Sequence, residues 1–335
     1  MKTVKIGNRI VGGDGLCYII AEAGSNHNGS LEQAKKLIDV AAEAKADAVK
    51  FQLFKAERLS ADKEIHELLK KFEFRREWVK ELSEYAKGKS IMFLATPFDT
   101  EAVDLLGKID IPVFKVASGD LTNLPLIEYI AEKGKSIILS VGLGSLDEIR
   151  ETLNVIYSTG NENVALLHCV ASYPTKPEEV NLKVIKTLKQ RFELPVGFSD
   201  HTMEVSIPIG AVALGANIIE KHFTIDRKLE GPDHPYALEP EELKILVKGI
   251  RDVEKALGSG IKNIVDSEMQ GLVEGRRSIF AKVNISEGTT ITKDMLSILR
   301  PARGIAPKYI DNIIGKKVKK DIKAYESITW DKIEI

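Results

Sequence analysis

Eight short runs of apolar residues, each followed by a stretch with helical periodicity, constrain the fold more than any other feature of this chain. They span residues 17–24, 48–54, 90–98, 113–120, 136–143, 163–174, 195–201 and 217–223. They are apolar nearly throughout, as strands buried on both faces must be. Between and after them, residues 31–45, 75–87, 123–133, 145–158, 180–192, 204–214 and 240–257 fit helices, with a shorter one at 99–107. In the first, Leu31, Ala34, Leu37, Ile38 and Ala41 share a face. Ser30 with Gln33, and Ser145 with Glu148, have the spacing of capping boxes. A strand–helix unit repeated eight times predicts a parallel (βα)8 barrel of the TIM type rather than an open sheet. Residues 3–12 read as a small hairpin ahead of it.

The pattern changes near residue 258. Residues 259–275 read as a linker, and 276–335 give short strands and turns. Ser286-Glu287-Gly288 reads as a turn and Thr292 as a helix cap. This predicts a second, mostly β domain of roughly 60 residues, a size that is marginal alone.

Lys and Arg total 48 against 49 Asp and Glu, so no bulk charge recruits nucleic acid or an anionic membrane. A local basic pocket for a small anion remains compatible with that balance. The two cysteines, Cys17 and Cys169, make no disulfide framework and read as buried thiols. No apolar stretch has the length of a signal core or a membrane span, which places the expected protein in the cytoplasm.

Barrel enzymes carry their chemistry at the C-terminal ends of the strands. The polar residues there include Glu22, Lys50, Gln52, Thr96, Phe98 beside it, Lys115, Ser118, Asp120, Ser140, Tyr173, Ser199, His201, Glu220, Lys221 and His222. Lys50 and Lys115 interrupt apolar runs, and burying such charges without partners is expensive. Either they snorkel outward, or they form a clamp for a dianion, completed by the hydroxyls of Thr96, Ser118, Ser140 and Ser199. His201 and His222 end neighbouring strands and can converge on a metal ion, leaving coordination positions open. The carboxylates Glu22, Asp120, Glu220 and Asp233 surround this region as candidate acids, bases or sugar contacts. His168 reads as structural, His66 as solvated, and Lys316, Lys317, Lys319 and Lys320 as an exposed face. Neither His27 nor His234 has an assigned role.

The strings IAEAGSNHNG, KFQLF, TPFD, FKVASGDLTNLPLI, ILSVGLGS, LLHCVASYPT, GFSDHT, IIEKHFT and GPDH follow one another in this order. With them the chain resembles the N-acetylneuraminate (sialic acid) synthases and their legionaminic, pseudaminic and spore-coat polysaccharide relatives. Residues 276–335, with LRPARGI, resemble the antifreeze-like (SAF) domain that ends those enzymes. The resemblance implies condensation of phosphoenolpyruvate with an N-acylated hexosamine. It implies a divalent metal on His201 and His222, manganese first, with magnesium or cobalt as alternatives. It assigns phosphoenolpyruvate to Lys50, Thr96, Lys115, Ser118, Ser140 and Ser199. Sugar and acid–base positions fall on Glu22, Gln52, Tyr173, Glu220 and Asp233. It also implies a homodimer in which an arginine of the partner's antifreeze-like domain enters the site, matched here by Arg300, then Arg303. Two positions depart from the bacterial sialic-acid synthase pattern: Asp120 replaces a glutamate and Ala171 an asparagine, which leaves the identity of the sugar open. A synthase of eight- or seven-carbon keto acid phosphates is the near rival, and the tail argues against it. A non-catalytic carbohydrate-binding protein is the rival of another class, and it would need neither the two cations nor the metal.

Overall fold

In the computed structural model, which describes residues 2–334, the chain divides into two compact units. The first runs to Gly258 and the second starts at Ser259. A two-stranded antiparallel hairpin, β1 (Val4–Ile6) and β2 (Arg9–Val11), comes first, as expected. The eight apolar runs then form β3 (Tyr18–Gly24), β4 (Ala48–Leu53), β5 (Met92–Pro97), β6 (Val113–Val116), β7 (Ser136–Ser140), β8 (Val164–Cys169), β9 (Val196–Asp200) and β10 (Ile218–His222). They make one parallel sheet in the order β5-β4-β3-β10-β9-β8-β7-β6. β5 and β6 lie against each other, so the sheet closes into the TIM barrel. Nearly every strand residue is buried, because side chains face either the barrel interior or the surrounding helices.

The strands stop earlier than the apolar runs. Beyond Val116 the chain turns into a single 3-10 turn at Ser118–Asp120, and beyond Cys169 it leaves the sheet, so Ser118, Asp120 and Tyr173 sit on loops. Of the two capping boxes, only Ser145–Glu148 is complete. Ser30 accepts the Gln33 backbone N–H, but the Gln33 side chain donates instead to the Asn26 carbonyl at 2.6 Å. The helix expected from residue 180 begins at Val184, after a 3-10 turn at Pro177–Glu179. Two short helices, Ala56–Leu59 and Lys63–Lys70, were not expected: the first is a single turn, and the apolar residues of the second are none of them buried.

In the second unit the segment 259–275 is not a bare linker, since it holds a helix at Met269–Glu274. β11 (Ser278–Ala281) pairs antiparallel with β12 (Leu296–Leu299). Isolated bridges such as Ile285 to Ile322 and Val318 to Ile333 add short β contacts, and an isoleucine-rich cluster fills the centre. The turn at Ser286-Glu287-Gly288 forms, with Thr289 N–H donating to the Ser286 carbonyl at 3.1 Å. Among the described residues no helix is long and apolar enough to cross a membrane.

Candidate active site

Side chains alternate along a strand, so residues two apart share a face. Lys50 and Gln52 on β4, Glu220 and His222 on β10, and Ser199 with the following His201 all turn toward one cavity at the C-terminal mouth of the barrel. Register stacks them across strands: Glu22 sits opposite Lys50 on one side and His222 on the other, and Ser199 sits opposite Glu220. Thr96, Phe98, Lys115, Ser118, Ser140 and Tyr173 complete the lining among the expected residues.

Four of these groups are charged and buried together. Lys50 Nζ is 2.6 Å from Glu22 Oε2 and 3.6 Å from Glu220 Oε1, while Lys115 Nζ is 3.5 Å from the same Glu220 oxygen. Lys50 also donates to Thr96 Oγ1 at 3.1 Å. Both lysines are thus interior and paired, which excludes the outward, snorkelling alternative. Burial, followed by repulsion from Glu220, pushes the Glu22 carboxyl up to about 7 in spite of Lys50 and the Gln52 amide. At Glu220 burial acts in the same direction, but Lys115 and Lys50, with His222 and His201 adding to them, outweigh it and hold the carboxyl down to about 2. Burial lowers the Lys115 ammonium below its ordinary range, and Lys50 adds to the effect. Ser199 donates to Glu220 Oε1 at 3.2 Å. Glu220 Oε2 and Ser140 Oγ are buried without hydrogen-bond partners among the described residues. Both atoms are free to bond a group that enters the cavity.

His201 and His222 stand next to this cluster with ring centroids 5.4 Å apart. Two imidazoles on one small ion at ~2.1 Å would place their centroids about 5 Å apart. His201 Nδ1 faces the Val170 carbonyl at 2.9 Å; a carbonyl only accepts, so that nitrogen carries the proton and Nε2 keeps its lone pair. His222 Nδ1 is buried and unpartnered, with Asp233 Oδ2 4.0 Å away. The residues present therefore fit a divalent ion. They supply two nitrogens only, since no group of three or more His, Cys, Asp or Glu ligands exists among the described residues.

Asp233 does not line the cavity. Its carboxylate accepts from the Ser25 N–H at 2.9 Å and the Tyr236 hydroxyl at 2.7 Å, which places it behind His222. It gets there through a gap at Gly24, where the β3–β4 register slips and φ is +51°. A Cβ on Gly24 would lie 2.5 Å from Asp233 Oδ2 and 3.1 Å from the His222 ring. We expect Gly24→Ala to cost roughly 1–2 kcal/mol from the left-handed backbone alone, seen as a lower unfolding midpoint, and to depress turnover by moving Asp233. An unchanged midpoint and turnover would contradict this.

Three further expectations are corrected or left apart. Asp120 also lies outside the cavity lining, its Oδ1 taken by the Asn123 amide at 3.1 Å, whereas Glu22 is part of that lining. Arg300 and Arg303 belong to the second unit and are exposed; Arg303 pairs with Glu274 at 2.8 Å. Cys169 is buried as expected, yet it also lines the cavity, opposite Ser199 in register. Counting by twos from Leu167 would have found it. His234 joins Thr224 Oγ1 at 2.6 Å to Asn28 Oδ1 at 3.1 Å, tying the loop after β10 to the loop after β3. His27 packs edge-on to Phe74 and Trp78, and His168 Nε2 bonds the Val180 carbonyl at 2.6 Å, both structural positions.

Residues 37–262 match the NeuB family and residues 276–334 the SAF domain. An uncharacterized protein of Methanocaldococcus jannaschii is 48% identical, over 99% of this chain and 98% of its own. The N,N'-diacetyllegionaminic acid synthase of Campylobacter jejuni is 45% identical, over 92% of this chain and 98% of its own. The crystal structure of an N-acetylneuraminic acid (sialic acid) synthetase from Leptospira borgpetersenii, solved with citrate, superposes with a TM-score of 0.76 at 41% identity, covering 81% of this chain and 95% of that one. A barrel with this mouth, followed by this tail and matched over nearly its whole length by these synthases, belongs to the NeuB family.

Proposed function

We propose that the chain condenses phosphoenolpyruvate with the aldehyde of an open-chain N-acylated hexosamine, giving a sialic-acid-type 2-keto sugar acid and phosphate. The observation that carries this reading is the convergence of Lys50 and Lys115 on Glu220 beside His201 and His222. Two buried ammonium groups are matched to an anion with two charged ends, and the lining hydroxyls supply further donors. A protein that only bound neutral sugar would gain nothing from them.

The methylene carbon of phosphoenolpyruvate attacks the aldehyde carbon, and the aldehyde oxygen takes a proton to become a hydroxyl. The adjacent carbon, now cation-like, takes up water, which gives up a proton. The resulting hemiketal phosphate collapses: the ketone forms, the carbon–oxygen bond to phosphorus-bound oxygen breaks, and phosphate leaves with the electron pair. Lys50 and Lys115 hold the anionic ends. Glu22, poised near neutrality, holds or accepts the proton beside Lys50. A divalent ion on His201 and His222, manganese by expectation, would polarise the aldehyde oxygen. Asp233 places a negative charge 4.0 Å from His222 Nδ1, on the side away from the cavity. The test is phosphate release from phosphoenolpyruvate and manganese with a panel of sugars. The panel includes N-acetylmannosamine and a diacetamido-trideoxyhexose; the latter is expected first from the 45% identical relative. No release with any N-acyl hexosamine overturns the reading.

We further propose a homodimer in which each C-terminal domain supplies Arg300 to its partner's barrel. The family resemblance supports it, as does an exposed Arg300 with no ion pair among the described residues, whereas Arg303 is engaged by Glu274. Arg300→Ala and His201→Ala proteins should each be inactive. Refolded as an equal mixture they should form about half heterodimers, each with one intact site, and recover roughly a quarter of wild-type activity. Heterodimers without activity would exclude an arginine acting across the dimer.

A further inference from the structure

Two buried charges that the proposed chemistry leaves unused lie directly behind the histidine pair. Alternation that turns Ser199 and His201 toward the cavity turns Asp200 away from it. In the same way Glu220 and His222 leave Lys221 on the outer face of the barrel wall. Asp200 and Lys221 occupy paired positions on β9 and β10, and both are almost completely buried. Lys221 Nζ is 2.6 Å from Asp200 Oδ2 and also donates to the Thr202 carbonyl and, at 3.4 Å, to that of Glu204. Asp200 in turn accepts the Thr202 N–H at 3.0 Å on Oδ1 and the Thr202 hydroxyl at 3.0 Å on Oδ2. The segment from Asp200 to Glu204 is thereby bonded to β10 from outside the barrel, and His201 is part of that segment.

A buried ion pair is a poor device for stability alone. Desolvation offsets its attraction, and an apolar pair of similar volume is often equally stable or more so. What the pair supplies and an apolar pair cannot is direction. All but the bond to Glu204 end on Asp200 or Thr202, the residues that flank His201, and Lys221 is covalently next to His222. We infer that Asp200 and Lys221 are positioning residues for the two histidines, setting the separation of the imidazoles and so the affinity for the divalent ion without touching ion or substrate. The inference rests on the metal reading above.

The test compares wild type with the Asp200→Leu/Lys221→Met double variant and with Thr202→Val, in which the ion pair is kept and one hydroxyl bond is lost. Free Mn2+ is measured by electron paramagnetic resonance to obtain the dissociation constant, the absorption bands of the Co2+ form are recorded, and unfolding midpoints are taken alongside. The double variant also leaves the Thr202 N–H and the Thr202 and Glu204 carbonyls without these partners, so its midpoint should fall; the folded protein should bind Mn2+ about 10- to 100-fold more weakly, as loss of groups that orient metal ligands does. Its Co2+ bands should shift. Thr202→Val should weaken Mn2+ binding by a smaller factor with the midpoint nearly unchanged. A merely structural role would move midpoints and leave the Mn2+ constant and Co2+ spectrum of the folded protein as in wild type. That outcome in the double variant, or in Thr202→Val should the double variant not fold, overturns the inference. Wild type that binds no Mn2+ overturns the metal reading together with it, whereas equal binding by wild type and variants overturns the inference alone.

Discussion

His201→Ala and His222→Ala proteins are each expected to lose phosphoenolpyruvate turnover by roughly three orders of magnitude or more, while remaining folded. A cation at a polarised carbonyl contributes several kcal/mol of transition-state stabilisation, and each 1.4 kcal/mol is about tenfold in rate. Both rings line the cavity and lie outside the apolar core, so their removal enlarges the cavity and leaves the core packing intact. Unfolding midpoints should therefore stay within a few degrees of wild type. A chelator should silence the unmutated protein, and added manganese should restore it. Full activity in chelator would remove the metal from the mechanism. A large fall in midpoint for either variant would make the histidines structural.

Lys115→Ala is expected to separate binding from stability. It deletes a charge-assisted contact worth roughly 1.5–3 kcal/mol, so kcat/KM for phosphoenolpyruvate should drop about ten- to a hundredfold, with the KM for sugar much less affected. It also strips Glu220 of one of the two cations that hold its carboxyl low. Breaking a buried pair from one side costs about 3–5 kcal/mol, because the remaining charge is left uncompensated. The single variant should thus melt well below wild type. Adding Glu220→Gln, which removes that stranded charge, should return most of the midpoint and none of the phosphoenolpyruvate use. Unchanged kinetics for phosphoenolpyruvate in Lys115→Ala would show that the ammonium serves the fold alone.

The barrel was legible because its evidence is local and repeated. A strand buried on both faces must be apolar along its length, and eight such runs separated by amphipathic helices admit few closed arrangements. The site was legible for a related reason. A lysine inside an apolar run, as at Lys50 or Lys115, or a histidine at the end of one, as at His201 and His222, contradicts its surroundings and marks a place where burial has been compensated. What failed locally was short and unburied: the two helices between residues 56 and 70, and the helix within 259–275, have at most one buried residue each.

Sequence by itself thus determined the barrel, the tail and most of the residues that meet at the mouth, since strand period and strand order suffice to bring them to one end. Tertiary structure alone decided which of them pair. Glu22 and Glu220 look alike in the sequence, but one has a single lysine close by and the other lies between two, so their carboxyls part in opposite directions. Asp233 and Asp120 look like equal candidates as well, yet Asp233 reaches His222 only because Gly24 leaves room, and Asp120 turns to Asn123 on its own loop. Asp200 and Lys221, next in sequence to the two histidines, face away from the cavity and find each other across neighbouring strands. Charge and hydrogen bonding depend on distances of a few ångströms between residues far apart in the chain, and only the closed barrel sets those distances.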